Sequence, residues 1–392
     1  MAEGRTRPAR AEVDLDALAS NVALLARRAA PAALCAVVKA DAYGHGAVPV
    51  ARAAIESGAA WLAVALVDEG LELREHGVAA PVLVLSEVLA DAAEALVAAG
   101  LSATVTTRAG VEAVAAAART IGVRAGVHVK VDTGMHRAGA APDHAAALVE
   151  AVEADPALGL EAVWTHLAVA DGVDEEDRMF SVLQLETFDR VVSGLHARPR
   201  LLHAANTAGA VAWPSARYDL VRCGIGIYGY APSAAMADGG AGEDVASFVA
   251  RLRPVLALKA RVSEVRELDA GERPSYGRRR ALPERSVVAT VPLGYADGVP
   301  RRLFDTGCPV LVGGRRRPLA GVVTMDQLMV DCGPGATVAP GDEVVLVGRQ
   351  GDEEITAADW AARLGTIAYE VLCGIGPRVP RVHAARRTGG AR

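Results

Sequence analysis

A chain of 392 residues is too long for one ordinary hydrophobic core, so two domains are expected. Hydrophobic residues make up 52% and charged residues 22%, the balance of a soluble globular protein, and a formal net charge of −6 argues against nucleic acid or an anionic membrane as partner. The five cysteines are scattered without CxxC or Cys/His spacing, so no metal is expected and the cytoplasm is the simplest compartment.

The opening stretch, "MAEGRTRPARAEVDLDAL", has arginines but no apolar h-region and does not read as a secretory signal. No later stretch reaches the roughly 18 uninterrupted apolar residues of a membrane span. Short apolar runs then alternate with Ala-rich stretches of helical character. The runs are "LCAVVK" (34–39), "WLAVAL" (61–66), "PVLVLS" (81–86), "SATVTT" (102–107), "GVHVKV" (126–131), "LEAVWTH" (160–166), "LLHAAN" (201–206) and "DLVRCG" (219–224). Continuous apolar runs suit strands buried on both faces, and alternation with helices suits a parallel sheet. Eight such units fit an α/β fold of the (β/α)8 TIM-type barrel kind, usually about 250 residues long. A doubly wound open sheet is the other arrangement this pattern allows.

"SAAMADGGAGEDVASF" (233–248) breaks the alternation and reads as a mobile loop or domain boundary. Strand-like runs punctuated by Gly and Pro follow at 254–268, 285–294, 308–314 and 342–348, with one helix at 356–365, N-capped by Thr356 and closed by Gly365. The expected layout is a barrel over 1–245 and a mainly β domain over 246–392. No internal repeat is present.

Of 41 basic residues only Lys39, Lys130 and Lys259 are lysine. Where a charge suffices the chain uses Arg, so a retained Lys points to chemistry that a guanidinium cannot do, such as Schiff-base formation. In a barrel the chemistry sits at the C-terminal strand ends. There the runs place Lys39, "KVDTGMHR" (130–137), His166, Asn206-Thr207, and Arg222 followed by Gly224-Ile225. Loops after strands seven and eight often bind phosphate. Thr207 offers a hydroxyl and Gly224 and Ile225 offer backbone N–H groups. A phosphate corner and a nucleophilic amine on strand one describe pyridoxal 5'-phosphate held as a Schiff base. "GIGIYG" (224–229) matches GxGxxG, but "YAP" follows it instead of a helix, so it is not a dinucleotide fingerprint.

The sequence closely resembles the alanine racemases. The resemblance is carried by "AVVKADAYGHG" (36–46), "KVDTGMHR" (130–137), "THLAVAD" (165–171), "HAANTAG" (203–209), "VRCGIGIYG" (221–229), "SYG" (275–277), "GYADGVPR" (294–301), "MDQ" (325–327) and "TIAYE" (366–370), in the family's order and spanning nearly the whole chain. It implies a pyridoxal phosphate barrel followed by a β domain, in a head-to-tail homodimer with shared active sites. By resemblance Lys39 is the Schiff-base lysine and one base, and Tyr276, from the other subunit, is the second. Tyr43, Thr207, Gly224, Ile225 and Tyr369 are phosphate ligands, with Leu85 and Asn206 among the other cofactor contacts. Arg222 partners the pyridine nitrogen, with His166 behind it. Arg137 meets the ring oxygen and the substrate carboxylate, helped by the Met325 backbone N–H. Tyr295, Asp171 and Arg301 line the substrate entrance, and Asp326 belongs to the second-subunit rim. Lys130 is carbamylated.

The implied reaction interconverts L-alanine and D-alanine, supplying D-alanine for cell-wall peptidoglycan. A serine or broad-specificity racemase of the same family is the alternative, and a pyridoxal phosphate decarboxylase of the same architecture fits the "SYG" motif less well. Thr207 stands where serine is frequent and keeps the hydroxyl. His136 and Thr324 also depart from the commonest pattern, close to the substrate. Two acid–base groups on opposite faces of the α-carbon give inversion. An Arg at the pyridine nitrogen donates and cannot accept, so that nitrogen stays unprotonated.

Overall fold

The computed structural model describes residues 7–384; the first six residues, where the stretch read for a secretory signal begins, and residues 385–392 lie outside the described residues. The chain divides into two compact units. One holds Ala17–Ala42 and Ala47–Arg253. The other holds the described residues through Asp16, Tyr43–Gly46 and the described residues from Pro254 onward.

The first strand, β1 (Ala9–Asp14), belongs to the second unit. The eight expected runs form β2 (Ala33–Val37), β3 (Trp61–Val64), β4 (Val82–Glu87), β5 (Ser102–Val105), β6 (Ala125–Lys130), β7 (Leu158–Trp164), β8 (Leu201–His203) and β9 (Leu220–Cys223). They pair in parallel in the order β8-β7-β6-β5-β4-β3-β2-β9. From β2 to β8 each strand neighbours the next in sequence, and β9 returns to β2. A doubly wound sheet needs a reversal of strand order that is absent here. Two backbone hydrogen bonds complete the ring between β8 and β9: Asp219 N–H to Leu202 O at 3.0 Å and Arg222 N–H to Ala205 O at 2.9 Å. The unit is a (β/α)8 barrel. β3, β5 and β9 are buried at every position; β3 is uniformly apolar, whereas Ser102 and Thr104 of β5 and Arg222 of β9 are buried polar groups. The outer helices are amphipathic. Arg108–Ile121 buries Val111, Val114, Ala115 and Ala118, starts on the Thr107 N-cap and stops at Gly122 with φ 78°.

Glu87, at the end of β4, clamps the loop after β5. Its carboxylate accepts hydrogen bonds from the Thr106 and Thr107 backbone N–H groups (2.9 and 2.8 Å) and from both hydroxyls. Burial by itself would raise this carboxyl, but the four donors outweigh it and hold the group below 4.5. A depressed folded-state value contributes stability above the unfolded value, and that contribution is lost as pH falls through the folded one. Glu87→Gln is therefore expected to lower the thermal midpoint at neutral pH, with the gap from the parent protein closing on acidification below 4.5. A gap independent of pH would rule out the carboxylate as its source.

The second unit is mainly β. Its larger sheet runs β14-β13-β16-β10-β1-β18, with β17 on β16, where β10 is Leu256–Arg261, β13 Val310–Val312, β14 Arg315–Arg317, β16 Glu343–Gln350, β17 Glu353–Ile355 and β18 Arg381–Ala384. A three-stranded sheet runs β11-β12-β15, with β11 Glu264–Leu268, β12 Ser286–Val291 and β15 Leu328–Asp331. The run 254–268, expected as one strand, is thus two strands in different sheets. The chain switches at Val262-Ser263, where Val262 N–H bonds Asp342 O and Ser263 N–H bonds Thr290 O, each at 2.9 Å.

The units meet at residues 253 and 254, whereas composition pointed to 245 and 246. The difference arises because 233–248 is ordered as the helices Ala234–Ala237 and Glu243–Val249. Ser233 caps the first, and Asp244 pairs with Arg28. The residues before Asp16 join the second unit because β1 lies between β10 and β18. On that sheet Lys259 Nζ pairs with Glu12 at 2.8 Å and Glu343 at 3.6 Å, an ordinary ion pair rather than a reactive amine. The helix Ala357–Leu364 is capped by Thr356 and ends at Gly365 (φ 69°). Among the described residues no helix is long and apolar enough to cross a membrane.

Candidate active site

Lys39 follows the end of β2 and opens a turn of unusual hand. Ala40, Asp41, Ala42, Tyr43 and Gly44 have φ of 53, 51, 52, 54 and 78°, so the short helix Lys39–Gly44 is left-handed beyond its first residue. Each non-glycine residue in that conformation costs about 1–2 kcal/mol, and strain of this kind concentrates at functional sites. Its neighbours hold the turn in place. Glu69 accepts hydrogen bonds from the N–H groups of Ala40 (2.6 Å), Ala65 (2.7 Å) and Leu66 (3.0 Å), and Asp41 Oδ1 accepts one from Ala47 N–H at 2.7 Å. Within the second unit, Arg381 Nε–H donates to Gly44 O at 2.8 Å, and a Cβ at Gly44 would lie 2.5 Å from Leu372 O. Glu69→Ala would leave three backbone donors without their acceptor. It is expected to cost about 1–3 kcal/mol in urea unfolding and to speed amide exchange at Ala40. Unchanged exchange there would refute the clamp.

Over the barrel's C-terminal ends lies a cluster of cations. Arg222 is buried and donates to His203 Nδ1 (2.6 Å), Thr165 O (2.9 Å), Ala204 O (3.0 Å) and His166 Nδ1 (3.1 Å). The Trp164 indole carries two cations, with the Arg222 guanidinium carbon 4.5 Å and Lys130 Nζ 4.8 Å from its centroid. Burial pushes Arg222 down to about 10. Lys130 falls to about 8, first through burial and then through Arg137 and Arg222, with Lys39 adding to them and Asp132 opposing. His166 is driven well down by burial and by Arg222, Lys130, Arg137 and Lys39, so its ring is neutral and accepts at Nδ1. Asp132 is occupied elsewhere: its Oδ1 accepts the Gly134 and His136 N–H groups, both at 3.0 Å. The result is a local excess of positive charge suited to an anionic ligand.

A second feature suits a phosphate. Thr207 opens the helix Thr207–Ala212, capped by the Asn206 side chain, which accepts Gly209 N–H at 3.0 Å. Thr207 Oγ1 accepts Gly224 N–H at 3.0 Å, joining the loops after β8 and β9. Ile225 begins the 3-10 helix Ile225–Tyr228, which Gly229 closes at φ 93°; "GIGIYG" is this turn and not a dinucleotide loop. A Cβ at Gly226 would lie 2.6 Å from Thr207 Cγ2, so only glycine lets these two turns approach. Leu85 sits in an irregularity of β4, where the pairing with β5 shifts between Val84 and Glu87.

In the second unit, Tyr43 is buried and its ring centroid lies 5.9 Å from that of Tyr369. Burial raises the Tyr43 phenol, with Cys373 adding to it, so the group stays a donor. Tyr276 is 71% exposed and opens the 3-10 turn Tyr276–Arg278, between Ser275 (φ 72°) and Gly277 (φ 74°). Ser275 Oγ–H donates to Val322 O at 2.7 Å and fixes that turn to the segment leading to Met325. Tyr295 N–H donates to Thr324 O at 2.9 Å and Ala296 N–H to Met325 O at 3.0 Å. A Cβ at Gly294 would sit 2.3 Å from both carbonyl oxygens. Tyr295, Met325 and Asp326 are exposed, and Arg378 bonds Asp326 at 2.7 Å. Arg301 is exposed at the start of another 3-10 turn, and Asp171 O accepts the Ser233 hydroxyl at 3.1 Å in the barrel unit.

The structure thus gathers Lys39, Lys130, Arg137, His166 and Arg222 in the barrel unit, and Tyr295, Met325 and Asp326 in the other. Sequence reasoning did not single out Trp164, His203 or Glu69. Trp164 precedes Thr165-His166 in a quoted motif, and its position at a strand end was the available signal. Glu69 carried only a weak one, as the third residue of the helix Val67–Glu75.

Two families match this chain in succession: "Alanine racemase, N-terminal domain" over residues 13–232 and "Alanine racemase, C-terminal domain" over residues 255–383. The alanine racemase of Symbiobacterium thermophilum is 46% identical over 380 residues, 96% of this chain and 97% of that protein. A crystal structure of alanine racemase from Streptomyces lavendulae superposes with a TM-score of 0.88 at 37% identity, covering 97% of this chain and 98% of that one. A histidine racemase from Leuconostoc mesenteroides subsp. sake also shares the fold, with a TM-score of 0.86 at 29% identity over 97% of this chain and 99% of that one.

Proposed function

The chain belongs to the alanine racemase family, and we propose that it interconverts L-alanine and D-alanine by a two-base mechanism with bound pyridoxal 5'-phosphate. The observation that carries this reading is the buried Arg222, all of whose described hydrogen bonds are donated, in one cation cluster with Lys39. When bound, the cofactor withdraws electrons from the substrate α-carbon and makes its proton labile. Lys39 anchors the cofactor and moves the proton on one face. Tyr276, from the other subunit of a homodimer, moves it on the opposite face. Arg222 donates to the pyridine nitrogen and keeps it unprotonated, because a guanidinium has no acceptor. His166 stands behind Arg222. The phosphate ligands are Tyr43, Thr207, Gly224, Ile225 and Tyr369, and the tight Thr207–Gly226 approach fits such a group. Leu85 and Asn206 complete the cofactor contacts.

Arg137 holds the substrate carboxylate, aided by the Met325 N–H, and Tyr295, Asp326, Asp171 and Arg301 line the approach. The exposure of Tyr276, Tyr295 and Met325 supports a subunit interface on that face. The product, D-alanine, is a building block of peptidoglycan, which accords with a cytoplasmic enzyme supplying the cell wall.

Lys130 is carbamylated in this reading. Its neutral amine adds to carbon dioxide and releases a proton, turning a buried cation among cations into an anion that accepts from Arg137. Protein incubated with 13C-bicarbonate should then show a carbamate carbon resonance that Lys130→Arg lacks. Its absence from the parent protein would overturn the assignment.

The reaction is tested by incubating the protein with L-alanine alone and following optical rotation, which should decay to zero. L-serine and L-histidine belong in the same experiment, since a histidine racemase shares the fold. Stable rotation with alanine and decay with either of these would favour a racemase of other specificity.

A further inference from the structure

The barrel interior holds a polar thread that the proposed reaction does not use. His128 on β6 and His203 on β8 are fully buried on strands that are not neighbours in the sheet, so they meet across the interior. His128 Nδ1 lies 3.1 Å from His203 Nε2. Trp61 on β3 packs edge-on to His128 and Trp164 stacks on His203, with centroids 5.3 Å apart in each pair. At one end of the thread His203 Nδ1 meets Arg222 at 2.6 Å. At the other, His128 Nε2 faces Glu161 Oε2 at 3.2 Å, an ion-pair distance rather than a linear hydrogen bond. Ser102 Oγ–H donates to the same carboxylate oxygen at 2.7 Å. A Cβ at Gly126 would come within 2.6 Å of the Glu161 carboxylate, so glycine there makes room for the acid.

The thread has one possible direction. A guanidinium only donates, so His203 Nδ1 accepts and the proton of that ring sits on Nε2. Nε2–H then donates to His128 Nδ1, which places the His128 proton on Nε2, facing Glu161. Burial keeps both rings neutral: it drives His203 well down, with Arg222 and His128 adding to it, and it lowers His128 in spite of Glu161. Arg222 itself touches two carbonyls and two imidazoles, so Glu161 is the carboxylate this thread reaches.

We propose that Glu161 is a positioning residue for racemisation, acting through His128 and His203 to polarise the acceptor that orients Arg222 and to supply the counter-charge of that buried cation. A carboxylate behind a neutral imidazole makes the far ring nitrogen a stronger acceptor, and a hydrogen-bonded chain passes the effect along. This rests on the reading of Arg222 as partner of the pyridine nitrogen.

The test uses Glu161→Gln, which keeps shape and an acceptor but removes the charge, and His128→Phe, which cuts the thread. Histidine labelled with 15N reports the tautomers in cofactor-free parent protein; both His128 and His203 should be protonated at Nε2 alone, and the His203 Nδ1 resonance should shift in Glu161→Gln. In the loaded enzyme, Glu161→Gln should lower kcat about tenfold at little-changed KM, the lower end of what lost outer partners of a site cost. The double variant should lose no more than His128→Phe alone. A parent His203 protonated at Nδ1, an unshifted resonance, parental kcat in Glu161→Gln, or additive losses would each overturn the proposal. Full kcat in Arg222→Gln would instead sink the cofactor reading while leaving the tautomers as assigned. If Glu161→Gln does not fold, the parent tautomers still decide the direction of the thread.

Discussion

Lys39→Ala is expected to lose racemase turnover by more than about 10³-fold, because in the proposed mechanism one residue supplies both the covalent anchor and an acid–base group. The purified parent protein should be yellow, and borohydride reduction should fix the cofactor on the peptide containing Lys39. The structure identifies the competitor in that experiment. Lys259 is tied to Glu12 at 2.8 Å on the larger sheet of the second unit, so a label there is not expected. Lys130, pushed down to about 8 within the same cation cluster, is the amine that could take the label instead. A trapped cofactor on Lys130 or Lys259 would overturn the assignment of Lys39. Lys39→Arg should be as inactive as Lys39→Ala, since a guanidinium keeps the charge and loses the nucleophile.

Tyr276→Phe is expected to retain the cofactor spectrum and lose racemisation by about 10²- to 10⁴-fold, the usual worth of one acid–base group. The loss should be one-sided. Exchange of the α-proton with solvent on the face that the proposed mechanism assigns to Lys39 should survive better than exchange on the other face. The substitution keeps the ring and removes one hydroxyl, so the thermal midpoint should change little. If each site takes Lys39 from one subunit and Tyr276 from the other, mixing inactive Lys39→Ala with inactive Tyr276→Phe generates heterodimers with one intact site. Activity should then reappear after subunit exchange. Mixtures that stay inactive after verified exchange, or a fully active monomer, would rule out the shared site.

Much of this protein was legible along the chain because the signals are local. Eight mainly apolar runs marked the strands, and all eight are strands of one parallel sheet. Thr356 and Gly365 bounded their helix because caps depend on residues within one turn. Lys39, His166, Thr207 and Arg222 were nominated because barrels put chemistry at strand ends, which can be read from where an apolar run stops, and all four lie at or just beyond the ends of barrel strands. The lysine scarcity pointed equally to Lys39, Lys130 and Lys259, and only the structure sets Lys259 apart, because its partners Glu12 and Glu343 lie on strands far away in sequence.

What the tertiary structure alone decided depends on contacts between distant segments. β1 is a strand of the second unit because β10 and β18 flank it, and nothing within its six residues records that. The left-handed turn at 40–44 runs against the intrinsic preference of four non-glycine residues; Glu69, 29 residues beyond Ala40, helps hold it. The His128–His203 contact joins residues 75 apart on non-adjacent strands, and no periodicity encodes such a meeting. A closed sheet faces its strands onto a common interior, so which side chains meet there follows from the stagger around the ring and not from spacing along any one strand.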